Sequence, residues 1–447
     1  MKKYLYQLLF VIMAIGLCAG SCNDDNDDDM TTPESPGGGD SSSFDPTNIP
    51  NGYCKGIGLY LYRTVAQVGE PFTLYAKKFI DESVHLHYYQ NADDMYKGTC
   101  WLDMAGDGTK WESKDGTLKW MSSDESIATV DKNGKVTPKK AGYVNIYVYT
   151  DNKQSARCMV KVEPKSKRYG VHVAGFELTE YNYKDANKFP GVSGGIEYNP
   201  TFNTLTLNNC NINLTDSVEG IYVDVDGLAI TAIGNCKVTT NHCYALALRN
   251  YYNLGTVVID GHTYENAPIE RTATLKSEGE ITFESTATGR QKRSAGIGIG
   301  EWFELDIVYG NVTAKGHQYG VSGAGWHYYS GRNFWNMENM MGGSLRGGSI
   351  SILRCTFTAI CDTGDEGCGA MNQLAMIYTN SSYNIEPGDV SAFNYGKIEA
   401  TKYTPTLRDE SGSWCAAVCK KGTRQPFKGK VVYSSSVPWN GEQYPIN

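Results

Sequence analysis

Residues 205–230 read LTLNNCNINLTDSVEGIYVDVDGLAI, and this stretch contains the pattern that decides the fold of the C-terminal two thirds of the chain. It holds short triplets that begin and end with an apolar residue. Such triplets recur at Leu205–Leu207, Leu228–Ile230, Val257–Ile259, Ile281–Phe283, Leu305–Ile307 and Ile350–Ile352. Their starting positions differ by 23, 29, 24, 24 and 45 residues, and the last step is close to two units. This self-similarity predicts a stack of structural repeats.

Two further series of short strands accompany the first. One contains Ile221, Leu246, Ile297 and Val321, at steps of 25, 51 and 24 residues. The other contains Lys237–Thr239, Asn311–Ala314 and Thr356–Ala359. Three strands in a unit of about 24 residues are typical of a parallel β-helix with inward apolar ladders and Asn or Gly at left-handed turns. A leucine-rich repeat lacks support because its helical half is missing, and a β-sandwich would not sustain a period.

The beginning of this region resembles a known kind of domain. Gly194–Pro200 followed by Asn203–Asn209 is similar to the start of pectate-lyase-like parallel β-helices of the carbohydrate-binding-domain type, found in bacterial surface proteins. The resemblance spans about residues 170–360 and fades towards the C-terminus. It implies a right-handed parallel β-helix over residues 165–447 and supports the fold better than any ligand.

A different pattern precedes it. Leu118–Val130 combines a strand carrying Trp120 with a polar corner and a short apolar strand, and an Asn133-Gly134 turn follows. These residues resemble the bacterial immunoglobulin-like group 2 domain over roughly residues 55–164, with an insertion near 80–112. The whole fold is therefore predicted to be all-β, with an N-terminal immunoglobulin-like β-sandwich at 51–164. On a strand, His85 and His87 would lie on one face, but no third ligand for a metal is visible nearby in the sequence.

The first fifty residues predict export. Lys2 and Lys3 precede an apolar run over Leu5–Leu17, which is too short to span a bilayer and indicates a signal peptide at 1–21. Ala19–Cys22 resembles the lipobox of bacterial lipoproteins, although leucine is usual where Ala19 stands. The resemblance implies lipidation of Cys22; ordinary secretion is the alternative. Residues 22–50 are expected to be an acidic, flexible tether, so that the protein is lipid-anchored in the outer membrane and exposed at the cell surface.

Composition excludes several classes of protein. The 447 residues carry a formal net charge of −8, which argues against a nucleic-acid partner. The mean hydropathy of −0.41 excludes a polytopic membrane protein, and 40% apolar residues exclude a mostly disordered one. The 49 glycines and 31 tyrosines suit a β-rich exported protein.

Thirteen cysteines leave two interpretations open. Cys361 with Cys368, and Cys415 with Cys419, are close enough in sequence to close small disulfide loops, which export permits. Alternatively, cysteines such as Cys210, Cys236 and Cys355 stack inside a solenoid as small apolar residues. No CxxC pair exists, so a structural zinc site is not expected.

The candidate binding residues lie in a long Gly-rich interruption at Gly323–Gly348. Aromatic rings there offer platforms for sugar rings, and Arg332 can donate hydrogen bonds to hydroxyl groups. The alternative is that this loop folds over the solenoid and buries its rings. Trp302-Phe303 and Trp414 are weaker cases of the same kind. The carbohydrate candidates are Trp326, His327, Tyr328, Tyr329, Arg332, Phe334 and Trp335.

Catalytic residues are not identifiable. Asp362, Asp365 and Glu366 form the densest acidic loop of this half and are calcium candidates, although neighbouring loop acids are commonly just solvated. No EF-hand, HExxH, GxSxG or P-loop motif is present. No other cofactor is expected, and enzymatic activity is not predicted.

These observations favour a cell-surface lipoprotein for non-catalytic recognition, by binding a glycan or polysaccharide or by adhesion to a host or neighbouring cell. One alternative is a polysaccharide lyase or glycoside hydrolase on the same scaffold, which requires three or more acids and a basic residue on one face. The other is a protein-binding adhesin or structural surface subunit. Membrane contact is expected through the N-terminal lipid only.

Overall fold

The structure, a computed structural model, describes most of the chain from residue 57 to residue 435. The described residues are 57–59, 61–74, 76–78, 117–150, 155–216, 218–241, 244–248, 254–259, 262–268, 271–287, 294–300, 303–323, 348–362, 369–372, 374, 376–379, 383–394, 416–423 and 426–435. None of the helices among these residues has the length and hydropathy of a membrane span.

The N-terminal part forms small antiparallel and mixed sheets around one core. Its strands are β1 (Ile57–Leu59), β2 (Arg63–Gln67), β3 (Phe72–Thr73), β4 (Ala76–Lys78), β5 (Lys119–Ser122), β6 (Ala128–Val130), β7 (Lys135–Pro138), β8 (Gly142–Tyr149) and β9 (Ser155–Glu163). A four-stranded sheet in the order β2-β9-β8-β5 faces a three-stranded sheet in the order β3-β7-β6. Trp120 is half-buried against this core, and Gly134 takes the positive φ of +80° that the predicted Asn133-Gly134 turn requires.

The remainder of the chain is again almost entirely β-structure. Its elements in chain order are β10 (Arg168–Val173), β11 (Phe176–Thr179), a 3-10 helix (Tyr183–Lys188), β12 (Val192–Asn199), β13 (Thr204–Leu214), β14 (Ile221–Val223), β15 (Leu228–Thr240), β16 (Tyr244–Leu248), β17 (Leu254–Ile259), β18 (His262–Pro268), β19 (Arg271–Ser285), β20 (Ala295–Ile299), β21 (Phe303–Gly316), β22 (Tyr319–Ser322), β23 (Ser349–Ile352), β24 (Cys355–Cys361), β25 (Gly369–Asn372), β26 (Met376–Thr379), β27 (Tyr383–Glu386), β28 (Val390–Asn394), β29 (Ala416–Lys420) and β30 (Gly429–Ser435).

Two large sheets share these strands. The seven-stranded sheet has the order β11-β10-β14-β16-β20-β22-β25, and the main path of the ten-stranded sheet is β12-β13-β15-β19-β21-β24-β30-β27. From β13 to β22 the chain visits the two sheets alternately and adds one parallel strand to each at every passage, the hairpin β17-β18 excepted. Both ends of the ten-stranded sheet, by contrast, are closed by antiparallel pairs.

In-register apolar ladders fill the space between the two sheets. Leu205 pairs with Ile230, Ile230 with Leu275, Leu275 with Ile307 and Ile307 with Ile352. All five are completely buried in one core. The second predicted series is confirmed as a ladder too, because Ile221, Leu246, Ile297 and Val321 are paired in that order.

Two predicted members of the first series are wrong. Val257–Ile259 lies in β17, which pairs antiparallel with β18 as a hairpin rather than joining a large sheet. Ile281–Phe283 is paired with Cys236–Val238 and therefore belongs to the third series. The true spacings along the Leu205 ladder are 25, 45, 32 and 45 residues. Hairpins and loops inserted between strands lengthen a unit at little entropic cost, so the period is not constant.

A column of left-handed residues bends the long strands of the ten-stranded sheet. Asn209 in β13, Gly234 in β15, Gly279 in β19 and Gly310 in β21 all have positive φ, and Gly234 is paired with Gly279. At these four positions the expected Asn or Gly occupies the turn. Arg354, with φ +49°, occupies the corresponding turn between β23 and β24 and departs from that expectation. The corner separates the half that carries Leu205 from the half that carries the third series.

The two parts of the chain share a buried joint. Val65 of β2 belongs to the same core as the ladders, and Tyr62 and Met159 pack against it. The Arg63 guanidinium, only 6% exposed, is held by Asp216 and by the carbonyl oxygens of Ala174 and Pro190. The N-terminal part therefore covers one end of the ladder core.

The described cysteines are buried. Cys210, Cys236 and Cys355 lie in the ladder core, as the solenoid interpretation predicted. Cys361 and Cys419 are buried too, but their predicted partners Cys368 and Cys415 lie outside the described residues. The two disulfide loops therefore stay predictions.

Candidate ligand-binding surface

The outer face of the ten-stranded sheet, beyond the left-handed corner, presents polar side chains in register. Asn211 pairs with Lys237, Lys237 with Thr282, Thr282 with Thr313 and Thr313 with Thr358. Alternation places these residues outwards because their neighbours Ile212, Val238, Phe283 and Ala314 are inside. We call this series the threonine row. Neighbouring strands lie about 4.8 Å apart, so the row repeats a hydrogen-bonding group at that interval.

A second row, which we call the charged row, runs beside the first and contains Thr239, Glu284 and Lys315 in register. Glu284 is held by two ammonium groups, since Lys237 Nζ lies 2.8 Å from Oε2 and Lys315 Nζ lies 2.8 Å from Oε1. Burial opposes ionisation of Glu284, but the hydrogen bonds from Lys237 and Lys315 outweigh it and hold the pKa below its usual value. The hydrogen bond to Glu284 also raises the pKa of Lys315.

The calcium candidate Asp362 lies at the end of the same surface. Its Oδ1 is 2.9 Å from Nδ1 of His317, and its charge contributes to the raised pKa of Lys315. The described part of the chain brings no three His, Cys, Asp or Glu side chains together as a metal site would need. Asp365 and Glu366 lie outside the described residues, so the three-acid calcium site stays a prediction.

The chemistry of these rows suits hydrogen bonding better than proton transfer. A general base needs a pKa near the working pH, whereas Glu284 is stabilised as a permanent carboxylate between two lysines. Glu284 and Asp362 are each already engaged by a basic side chain. Glu280, an exposed carboxylate of the same face, lies in register with Asn235 and Asn311 of the neighbouring strands. Hydroxyl, amide and ammonium groups at regular spacing can donate to and accept from the hydroxyl groups of a sugar chain.

Most sequence-predicted site residues are not described. All seven carbohydrate candidates lie outside the described residues: Trp326, His327, Tyr328, Tyr329, Arg332, Phe334 and Trp335. The same holds for Cys22, His85, His87, Trp302 and Trp414. Phe303 is described, and its interpretation as an exposed sugar platform is wrong, because it is buried in the ladder core. It stands at the first inward position of β21, two residues before Leu305.

The residues of the two rows were missed by the sequence analysis. Their signal is a polar or charged residue at alternate positions of successive third strands, as in Lys237 and Thr239, Thr282 and Glu284, or Thr313 and Lys315. The strand series were recognised from their apolar members alone. The outward positions became informative only once the register between strands was known.

Comparison with known proteins identifies the N-terminal part. Residues 104–160 match the bacterial Ig-like domain (group 2). The match confirms the predicted immunoglobulin-like part and covers less than half of the chain. No curated protein matches the chain. The matched domain indicates a surface or adhesion-type role and names no ligand.

Proposed function

We propose that this protein is a cell-surface lipoprotein that binds a polysaccharide without cleaving it. The observation that carries the proposal is the threonine row, which repeats hydroxyl groups across the in-register strands β19, β21 and β24. A polymer with a repeating unit can contact several such groups at once, and the affinities of the single contacts then combine. The charged row supplies fixed ammonium and carboxylate groups beside it.

The scaffold proposed for this surface is a right-handed parallel β-helix over residues 165–447. Its support is the alternation of the chain between two sheets, with one parallel strand added to each at every passage. The apolar ladders and the column of left-handed residues agree with that architecture. The Ig-like domain, proposed to span 51–164, covers one end of it.

Surface display is the second part of the proposal. It rests on the predicted signal peptide at 1–21, lipidation of Cys22 and the acidic tether at 22–50, together with the surface role indicated by the Ig-like match. The aromatic residues of 326–335 remain proposed contacts for sugar rings. The net charge of −8 argues against a nucleic-acid partner.

The test is a glycan array probed with the full mature chain in detergent, with and without calcium, followed by product analysis of every hit. We expect retention of a polysaccharide with no change in its chain length. Thr313→Val with Lys315→Met should weaken retention at least about tenfold, because both rows lose a hydrogen-bonding group. Thr206→Val, on the other half of the sheet, is the matched control and should bind as the parent protein does.

Three results would contradict the proposal. Cleavage of the bound glycan would replace it with a polysaccharide lyase or glycoside hydrolase. Retention that survives the double substitution with an unchanged melting temperature would remove the rows from the binding surface. No retention on any glycan would favour a protein-binding adhesin or structural subunit.

A further inference from the structure

A second surface, at the joint between the two parts of the chain, combines exposed aromatic rings with lysines. We call it the tyrosine–lysine patch and define it by Tyr143, Lys161, Lys167, Tyr169, Tyr181, Tyr183 and Lys184. Tyr143 and Lys161 lie in β8 and β9, and the other five lie in or next to β10 and the 3-10 helix. Both parts of the chain therefore contribute to the patch, and its two halves are linked by the segment Tyr181–Lys184, which supplies a ring to each half.

Lys161 fixes the first half of this patch. Its ammonium nitrogen lies 5.3 Å from the ring centroid of Tyr181 and 5.9 Å from that of Tyr143. The same nitrogen lies 3.0 Å from Oε2 of Glu163, a fully buried carboxylate that also accepts hydrogen bonds from Thr179 and Asn182. Tyr143 in addition packs edge-on against buried Phe176, at 5.9 Å between centroids. Both rings are thereby positioned before any ligand arrives.

The second half is organised in the same way. Tyr169 and Tyr183 form an edge-to-face pair with 6.0 Å between ring centroids. Lys167 Nζ lies 5.6 Å from the ring centroid of Tyr169, and Lys184 Nζ lies 5.5 Å from that of Tyr183. Tyr169 also contacts Tyr198, which is buried, at 5.2 Å. The contact with buried Tyr198 therefore holds the Tyr169–Tyr183 pair in place.

Exposure and charge indicate what the patch would bind. Tyr181 is 52% exposed and Tyr143 is 43% exposed, which leaves ring surface open for contact. Lys167 and Lys184 are exposed and form no ion pair with a described carboxylate, whereas Lys188 is paired with Asp185. Glu180 is the exposed carboxylate beside Tyr169. With Lys161 paired to Glu163, the two lysines against one carboxylate leave the surface slightly positive.

We propose that the tyrosine–lysine patch is a separate binding site for an acidic saccharide. A pyranose ring would stack on Tyr181 or Tyr183, and its carboxylate or sulfate group would meet Lys184 and Lys167. The choice of a saccharide rests on the proposed function, while the location and the charge of the ligand go beyond it. The Ig-like domain then takes part in recognition rather than serving only as a spacer.

The test is titration of the full mature chain with acidic hexasaccharides of uronate, sulfated and sialylated types, with a neutral hexasaccharide as the reference ligand. We expect an acidic member to bind and the neutral one not to bind, with affinity falling as salt is added. Tyr181→Ala and Lys184→Gln should each weaken that binding about tenfold, whereas Tyr181→Phe should retain it. Tyr378→Ala, an exposed tyrosine on β26, is the matched control and should have no effect.

The outcomes separate this proposal from the proposed function. Equal binding of the neutral and acidic ligands would overturn the ligand class, and binding by no acidic saccharide would overturn the site. If Thr313→Val with Lys315→Met abolishes binding while Tyr181→Ala leaves it intact, the patch is not the site although the rows bind glycan. Melting temperatures of all variants show whether a loss of binding is caused by a loss of folding. Tyr181→Phe keeps the aromatic ring and removes the hydroxyl group, so it tests whether the ring makes the contact.

Discussion

The Arg63 guanidinium Nε lies 2.6 Å from Oδ2 of Asp216, across 153 positions of sequence. Arg63 belongs to β2 of the N-terminal part, and Asp216 follows β13 at the first unit of the ladder region. Arg157 approaches the same carboxylate at 3.4 Å. Because Arg63 is 6% exposed and Asp216 only 14%, this ion pair connects the two parts of the chain away from bulk water.

Asp216→Ala should therefore be strongly destabilising. It leaves the Arg63 guanidinium buried without its carboxylate, and breaking a buried ion pair from one side costs about 3–5 kcal/mol. Chemical denaturation should show this loss in the free energy of unfolding. The double variant Arg63→Met with Asp216→Leu should recover part of it, since no buried charge remains. Asp185→Ala, in the exposed pair with Lys188, should cost less than about 1 kcal/mol. Equal losses at Asp216 and Asp185 would show that the joint is solvated.

Leu275→Ala should destabilise the ladder core. Leu275 is completely buried between Ile230 and Ile307 in neighbouring strands, so the truncation leaves a cavity flanked by both. Such a change costs about 2–5 kcal/mol in the free energy of unfolding. The adjacent Thr274 points outwards, and Thr274→Ala should cost about 1 kcal/mol or less. A reversed order of the two variants would mean that the register of β19 is shifted by one residue.

Gly310 belongs to the column of left-handed residues and Gly227 does not, so substitutions at these two glycines can be compared as a matched pair. Both have positive φ, +90° at Gly310 and +69° at Gly227, so alanine is strained at either position by about 1–2 kcal/mol. A methyl group at Gly310 would also overlap the carbonyl oxygen of Ser277, whereas at Gly227 it meets open space. Gly310→Ala should thus lower the melting temperature clearly more than Gly227→Ala. Similar melting temperatures would indicate that the strands can move apart at the corner.

The pH dependence of stability should differ in sign between two outward carboxylates. The folded-state pKa of Glu284 is below its usual 4.5, so its stabilisation is present above pH 4.5 and is lost as pH falls through the folded pKa. Burial raises the pKa of Asp306 above 3.8, so Asp306 begins to destabilise the fold as the pH rises above 3.8 and does so fully above the raised pKa. Glu284→Gln should remove stability at neutral pH, whereas Asp306→Asn should add some. Unfolding curves measured from pH 3 to pH 7, a range of about four units around these pKa values, check both signs. Parallel curves for the parent and either variant would contradict the assignment.

The sequence predicted the all-β fold and one complete ladder. Ile221, Leu246, Ile297 and Val321 were placed correctly because each stands in a short strand buried on both faces, where apolar residues have no outward alternative. Val257–Ile259 was misplaced because the strand of a hairpin can also present apolar residues two positions apart. Strand pairing over long sequence distances depends on how loops close, and local periodicity carries no information on that.

The candidate sites were less accessible to sequence reasoning. The aromatic residues of 326–335 form a local sequence pattern because several of them are adjacent in the chain. The tyrosine–lysine patch joins Tyr143 and Lys161 to Tyr181, which no local pattern connects. Its one local signal is the segment Tyr181-Asn182-Tyr183-Lys184, in which buried Asn182 separates two rings and a lysine follows. A surface formed by two parts of the chain can be recognised only from a structure in which both parts are placed.

The pairing of β2 with β9 has a mechanical consequence. The two strands run parallel, with five residue pairs from Arg63–Met159 to Gln67–Glu163. When the chain is pulled before Arg63 against the sheets that follow Glu163, the force enters these strands at opposite ends. All five pairs then carry the load in shear and must yield together, whereas a strand pulled from one end would unzip pair by pair. With the N-terminal anchor and the polymer ligand proposed above, a polymer dragged by flow would load this junction in shear.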